Sequence, residues 1–368
     1  MIVSQKVPAV DLAWQHAQVA DEVRAGFDRV LETTGFILGA EADAFERAYS
    51  AYCGVGHTVG VGSGTDAVEL ALRGVGVGAG DEVIIPANTF VATAEGVARA
   101  GGVPVLVDCD EDYLIDVEQA AAAVTPRTRA VVGVHLYGRL APIERLREAV
   151  GDGIAIVEDA AQSQGARSSV SGLRSGALGD AAATSFYPGK NLGAYGDAGA
   201  VTTSDAEIAE RVRRLRNHGG TAKYEHHEIG TTSRLDGLQA VVLSAKLALL
   251  DEWNGRRRAV AARYDDALAE VPGVVLPRRG PAGEHVHHLY VVRVADRDRI
   301  VAELNDQGIG AAVHYPAPVH RTGAFAHLGG SHPRSEAYAG EILSLPIHPG
   351  LDLDQQQHVI DVFRGSVR

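Results

Sequence analysis

Cysteine is scarce: two residues, Cys53 and Cys109, in a chain of 368. They form no CxxC pair and have no Cys/His ligand spacing. That excludes a disulfide framework and fits a reducing cytosol. The adjacent His226 and His227 have no third ligand at useful spacing, so no metal is expected. Methionine occurs once, tryptophan twice, and aromatics make up 5% of the chain. Positive charge is also short, with 34 Lys and Arg against 47 Asp and Glu, a net charge of −13. This balance argues against nucleic acid and anionic membrane surfaces as partners. No apolar run approaches the roughly 18 residues that span a bilayer. The first residues, MIVSQKVPAVDLAWQ, contain no signal-peptide core. The expectation is a soluble, cytoplasmic protein without repeats or a low-complexity tail.

What is present is ordinary globular composition, 46% hydrophobic and 22% charged. The length exceeds what one core usually serves, so two domains are expected. Residues 1–50 read as an arm and two helices, 15–31 and 41–52, with a short strand after them at 57–62. Short β-branched runs at 82–86, 103–108, 130–134 and 154–158 then alternate with helical stretches at 91–100, 117–124 and 142–150. Two further strand-like runs, 181–186 and 200–203, flank a Gly-rich turn. A basic helix at 211–217 ends on glycine, and a polar loop occupies 221–232. A long helical stretch with an apolar stripe from Leu235 to Leu249 follows, with a break expected at 251–255. Beyond Val271 come a Pro/Gly-rich linker, a strand in HHLYVVRVA and a helix at 296–306. A turn and strand in NDQGIGAAVHYP and helices at 337–344 and 354–363 complete the chain. The fold class is α/β, with a mostly parallel sheet flanked by helices in a large domain, residues 1–250. A smaller α+β domain takes residues 251–368.

In such sheets ligands bind beyond the carboxyl ends of the strands, so the residues just after each strand carry the chemistry. Those residues are Phe90, Asp108, His135 and Tyr137, then Glu158, Asp159 and Gln162, and finally Lys190. Lys190 stands in TSFYPGKNLGAYGDAGA, an almost uncharged stretch. Desolvation lowers a lysine's pKa, and the neutral amine attacks carbonyls to form a Schiff base. A solvated loop lysine is the plain alternative. Asp159 follows a wholly apolar run, and a buried carboxylate is costly unless paired. It fits either a helix cap for AAQSQGA or the counter-ion of a buried cation such as a pyridinium nitrogen. The turn Gly62-Ser63-Gly64 opens into a helix at Thr65 and offers free N–H groups to an anion. The same pattern serves as a simple cap. Its spacing is neither that of a P-loop nor that of a dinucleotide fingerprint.

These pieces recur together in a known arrangement. The chain resembles the DegT/DnrJ/EryC1/StrS family of sugar aminotransferases along nearly its whole length. The matching stretches are TGFILGAEADAFERAYSAYCG, VGSGTDAVELAL, GDEVIIPANTFVATAEGV, VHLYG, VEDAAQSQGA, SFYPGKNLGAYGDAGAV, LRNHGG, SRLDGLQA and VHYPAPVH. The resemblance implies the fold type I of aspartate aminotransferase, a seven-stranded sheet, and pyridoxal 5′-phosphate (PLP) as cofactor. By the same resemblance Lys190 holds the cofactor aldehyde and moves the proton. Asp159 faces the pyridine nitrogen, Gln162 the ring hydroxyl, and Phe90 the ring face. Gly64, Thr65 and Ser185 match the phosphate binders. Thr232 stands in GTTSRLD where the family usually has Asn, a residue that reaches the partner subunit's cofactor. A histidine in place of Lys190 would mark the family's dehydratase branch, which the lysine disfavours. Tyr187, Asn217, His218, Tyr224, His314, Tyr315 and His320 are the candidate substrate contacts. The implied reaction takes an amino group from L-glutamate to a keto group of a nucleotide-linked deoxysugar. A dTDP-3-keto-6-deoxyhexose is the expected substrate, with a 4-keto sugar or an inosose as alternatives. A homodimer with shared active sites is implied. A PLP-binding regulatory protein without turnover is the reading from a different class, and no DNA-binding segment supports it.

Overall fold

The computed structural model describes residues 6–367; residues 1–5 of the expected N-terminal arm and residue 368 lie outside the described part. Two helices, α1 (Leu12–Thr33) and α2 (Gly39–Cys53), precede β1 (His57–Val61) and α3 (Gly64–Gly74). The alternating part runs β2 (Glu82–Pro86), α4 (Val91–Arg99), β3 (Val103–Val107), α5 (Val117–Ala122), β4 (Thr128–Val134), α6 (Ile143–Val150), β5 (Ala155–Asp159) and β6 (Ala181–Ser185). Then come β7 (Gly199–Thr203), α7 (Ala206–Leu215), α8 (Gly237–Leu247) and α9 (Leu250–Leu268). The C-terminal part holds β8 (Tyr290–Arg293), α10 (Arg297–Asp306), α11 (Pro333–Glu341), β9 (Ile342–Leu345) and α12 (Leu353–Ser366).

The seven-stranded sheet has the order β1-β7-β6-β5-β4-β2-β3. Strands β2 to β6 are parallel, while β7 runs antiparallel to both β1 and β6. Its strands are buried on both faces, which is why they read as continuous apolar runs and not as alternating ones. One face packs α3, α4 and α7 through Leu70, Ala94 and Val212. The other packs α5 and α6 through Ala120, Ile143 and Leu146. A separate core joins the second half of α9 to β8, β9, α10 and α12, with Tyr264, Tyr290, Leu304 and Phe363 fully enclosed. Val7 belongs to this core and bridges to Ile309, so the chain at Val7 docks on the C-terminal part.

Three sequence expectations move. The long helical stretch breaks at Ala248–Leu249, a little before the expected 251–255, and its second helix runs unbroken through Asn254 and Gly255. The helix expected at 337–344 ends at Glu341. The apolar ILSL that follows is instead β9, paired antiparallel with β8, because it offers YVVR a fully buried partner strand. The strand expected in NDQGIGAAVHYP reduces to two isolated bridges, Ile309 to Val7 and Ala312 to Ser344. Asp108, which the strand-end rule places near the ligand, is used otherwise. Its carboxylate accepts from the backbone of Arg334 (2.8 Å) and Ser335 (2.9 Å), and so caps α11, where Pro333 starts the helix. Among the described residues no helix is long and apolar enough to cross a membrane.

Candidate active site

A cavity of about 370 Å³ opens at the carboxyl ends of β4, β5 and β6. Gly64, Thr65, Phe90, Asp159, Gln162, Ser185, Tyr187, Lys190 and Tyr315 all line it. The sheet explains the convergence: residues far apart in sequence end their strands on one edge. Period-two alternation then separates two neighbouring carboxylates. Asp159 faces the cavity. Glu158, one residue earlier and fully buried, points away into a structural nest. It accepts backbone N–H groups from Gly176 (2.8 Å), Leu178 (2.7 Å) and Gly179 (2.9 Å) and pairs with His135 at 2.8 Å.

Asp159 caps no helix, because AAQSQGA is a turn. Its carboxylate accepts the Thr93 hydroxyl at 2.7 Å and the Ala161 N–H at 3.2 Å, and its remaining capacity faces the cavity. Lys190 sits on the turn after β6, tied by its N–H to the Tyr187 carbonyl at 2.8 Å. Burial lowers its pKa to about 8, and the Asp159 charge, the smaller cause, pulls the other way. Burial also holds His288 and His314 below the usual histidine range, with the Lys190 charge as a further cause. The lysine therefore has no cationic imidazole beside it.

Helix α3 aims its N-terminus into the same cavity. Ser63 caps it by accepting from Asp66 N–H at 3.1 Å, which leaves the Gly64 and Thr65 end toward the cavity. Only glycine fits at position 64: a Cβ there would lie 2.5 Å from the Ser185 Cβ. That close approach places the serine hydroxyl beside the helix N-terminus, a strong anion seat. Across the cavity Phe90, 48% exposed, packs against Tyr315 with ring centroids 4.9 Å apart. Gln162 is fixed in orientation. Its oxygen accepts Tyr137 N–H at 2.6 Å and its amide donates to the Tyr315 hydroxyl at 3.1 Å. Burial first, then the Asp159 charge, raises the Tyr315 pKa and keeps that hydroxyl protonated.

The other candidates lie elsewhere in this chain. Thr232 is exposed and bonds the His218 ring at 2.9 Å; Asn217 and Tyr224 are exposed as well, and none of the four lines the cavity. His314 is half-buried beside it and holds Ser344 Oγ at 2.8 Å. His320 is buried and held by Glu336 at 3.0 Å, outside the cavity lining. Thr93 and Asp197 escaped the sequence reading. Thr93 lies one helical turn from Phe90 on α4, and nothing in ANTFVATA distinguishes it from a core threonine.

The model of the DegT/DnrJ/EryC1/StrS aminotransferase family matches residues 17–364. The chain belongs to this family. A dTDP-3-amino-3,4,6-trideoxy-alpha-D-glucose transaminase of Streptomyces venezuelae is 48% identical over 98% of this chain and 96% of its own. The crystal structure of S. venezuelae DesV in complex with a ketimine intermediate superposes with a TM-score of 0.94. It covers 98% of each chain at 48% identity. NtdA of Bacillus subtilis with bound cofactor PMP gives a TM-score of 0.90 at 30% identity, over 100% of this chain and 86% of its own. The protein is thus an aminotransferase, and its cofactor is PLP. The cavity suits that group: an anion seat at one end, an aromatic wall, a carboxylate with spare acceptor capacity, and a lysine of lowered pKa.

Proposed function

We propose that this aminotransferase moves the amino group of L-glutamate onto the keto carbon of a nucleotide-linked deoxysugar, a dTDP-3-keto-6-deoxyhexose. The convergence of Lys190, Asp159 and the Gly64 end of α3 on one cavity carries the reaction class. The 48% identity to a dTDP-sugar transaminase over nearly the full length supports the substrate.

Each residue has a distinct task. When bound, PLP supplies an aldehyde for the amine and a conjugated ring that takes up the electron pair freed at the substrate carbon. Gly64, Thr65 and Ser185 would hold the phosphate, and Phe90 would cover one ring face. Asp159, fixed by Thr93, would keep the pyridine nitrogen protonated. Gln162 would donate to the ring hydroxyl. The Lys190 amine would take up the proton lost by the substrate carbon and hold it for return, as base and then acid, in each half-reaction. In the cofactor-free chain, burial lowers its pKa and so favours the neutral amine that the base role needs.

Tyr187, His314 and Tyr315 are proposed to meet the sugar from this chain. Asn217, His218, Tyr224 and Thr232 are exposed and are proposed to act across a homodimer, Thr232 on the partner's phosphate seat. His320 is retained only as a support of its loop. The proposed division is a large PLP-binding domain at residues 1–250 and a small C-terminal α+β domain at residues 251–368, in a cytoplasmic enzyme. The decisive experiment offers dTDP- and UDP-linked 3-keto and 4-keto sugars and an inosose with glutamate, and locates the new amine by NMR. Amination at C3 of the dTDP sugar supports the reading, and turnover confined to another substrate refutes it. A bound cofactor whose spectrum glutamate never changes would instead indicate the regulatory class.

A further inference from the structure

The lysine turn is held from behind by a buried hydrogen-bond chain of His288, Asn191, Asn254 and Gln164, none of which lines the cavity. It begins in the C-terminal part. His288 Nδ1 lies 3.1 Å from Asn191 Oδ1, the residue after Lys190. Asn191 Nδ2 donates to the Val286 carbonyl at 3.2 Å and to Asn254 Oδ1 at 2.8 Å. Asn254 Nδ2 donates to the Gln164 carbonyl at 2.8 Å. The Gln164 side chain then donates to the Ser185 carbonyl at 2.8 Å and to Thr184 Oγ1 at 3.1 Å. Asn191, Asn254 and Gln164 are each 1% exposed. With both asparagine amides donating onward, the Asn191 oxygen must accept, so His288 carries its proton on Nδ1.

Asn254 lies in the first half of α9, the helix whose second half builds the C-terminal core. One turn further on, Arg257 is equally buried and donates to the Ile347 carbonyl at 2.8 Å and to the His287 carbonyl at 3.3 Å. Residues three apart share a helix face, so one face of α9 grips both parts of the chain. The chain also constrains the sequence at Gly165, where φ is +94° and a Cβ would lie 2.6 Å from Asn254 Nδ2.

We infer that Asn254 is a positioning residue for the reaction: it fixes the turn that presents Lys190 and the strand end that presents Ser185 as one rigid unit, in register with the C-terminal part through Arg257 and His288. Gln164 Oε1 is buried without a partner among the described residues, so the grip rests on the amide donors, and a broken link would leave further amides unpaired in a low-dielectric site. The inference rests on Lys190 holding the cofactor.

The test is Asn254→Leu in the full-length holoenzyme, with the melting temperature as the check on folding. We expect kcat to fall about tenfold or more while KM for the keto sugar stays within about threefold, and the PLP dissociation constant to rise about tenfold. In the cofactor-free protein, the pH at which Lys190 captures a small aromatic aldehyde should move upward, as a loosened turn admits water. A merely structural residue would leave that pH unmoved. A folded variant with wild-type kcat, PLP affinity and capture profile overturns the inference. Should Asn254→Leu fail to fold, His288→Leu breaks the chain at its other end without touching α9. The same upward shift with about a threefold loss of kcat is expected there, and an unmoved profile overturns it. Wild-type protein in which borohydride leaves no PLP on Lys190 would sink the reading of Lys190 and this inference with it. Labelled wild type with unaffected variants would sink the inference alone.

Discussion

Replacing Asp159 with Asn should move two properties of the site in opposite directions. At pH 7 a lysine with its ordinary value of 10.5 is neutral about once in three thousand molecules, whereas one at about 8 is neutral about once in eleven. Burial does that work, and the Asp159 carboxylate opposes it. Asp159→Asn removes the opposing charge and leaves the packing and the Thr93 contact in place. The Lys190 pKa should therefore fall further. In the cofactor-free protein at pH 7, Lys190 should capture an aromatic aldehyde faster than wild type, and the pH at which capture levels off should drop. The gain has a ceiling of about elevenfold, because the neutral fraction cannot exceed one. A pyridine-free aldehyde such as salicylaldehyde isolates this effect from any contact with a ring nitrogen. Turnover should go the other way. Losing a charged hydrogen bond to the ring nitrogen, at about 1.5–3 kcal/mol, slows it by roughly tenfold to 150-fold. Capture that is slower, or whose pH profile rises or stays put, would refute the electrostatic argument, whatever happened to turnover.

Gly64→Ala should force the Ser185 side chain aside, since the new Cβ would lie 2.5 Å from Ser185 Cβ. An overpacking cost of about 1–3 kcal/mol should appear as PLP affinity weakened roughly five- to 150-fold in equilibrium dialysis. Adding Ser185→Gly should restore part of it. Thr93→Val keeps the shape but deprives the buried Asp159 carboxylate of a donor, and denaturant titration should find a loss of about 1–3 kcal/mol together with reduced turnover. Glu158→Ala strips the partner from three backbone N–H groups and His135 and should cost about 3–5 kcal/mol in the same titration. Lys190 and the buried Lys246 both sit near 8 in the folded protein against 10.5 unfolded. The unfolded chain then binds more protons between those values, so cofactor-free stability should rise from pH 8 toward 10.5. Each lysine contributes about 3 kcal/mol at most, and Lys190→Ala should remove about half of the rise, leaving the share of Lys246.

Several elements were legible in the sequence for physical reasons. The parallel strands announced themselves as short β-branched runs because both their faces are covered, and the rule that ligands sit at carboxyl ends of strands then picked out Phe90, Gln162 and Lys190. The Gly62–Thr65 turn was readable as a helix start because a helix N-terminus needs only local geometry, and it does open onto the cavity. Segments whose state depends on a distant partner were not readable. ILSL continues a helical pattern locally and became β9 only because YVVR lies beside it. Asp108 and Asp159 both end apolar strands. One caps α11, more than two hundred residues away, and the other faces the cavity.

What the sequence determined by itself was the alternation of elements, the resemblance to a family, and which residue types carry charge into an apolar setting. Only the tertiary structure decided which of two adjacent carboxylates, Glu158 or Asp159, meets the cavity, because strand pleating sends them to opposite faces. Only it showed that Asn191, Asn254 and Gln164 join behind the lysine turn, since no spacing along the chain encodes hydrogen bonds between segments that meet after folding.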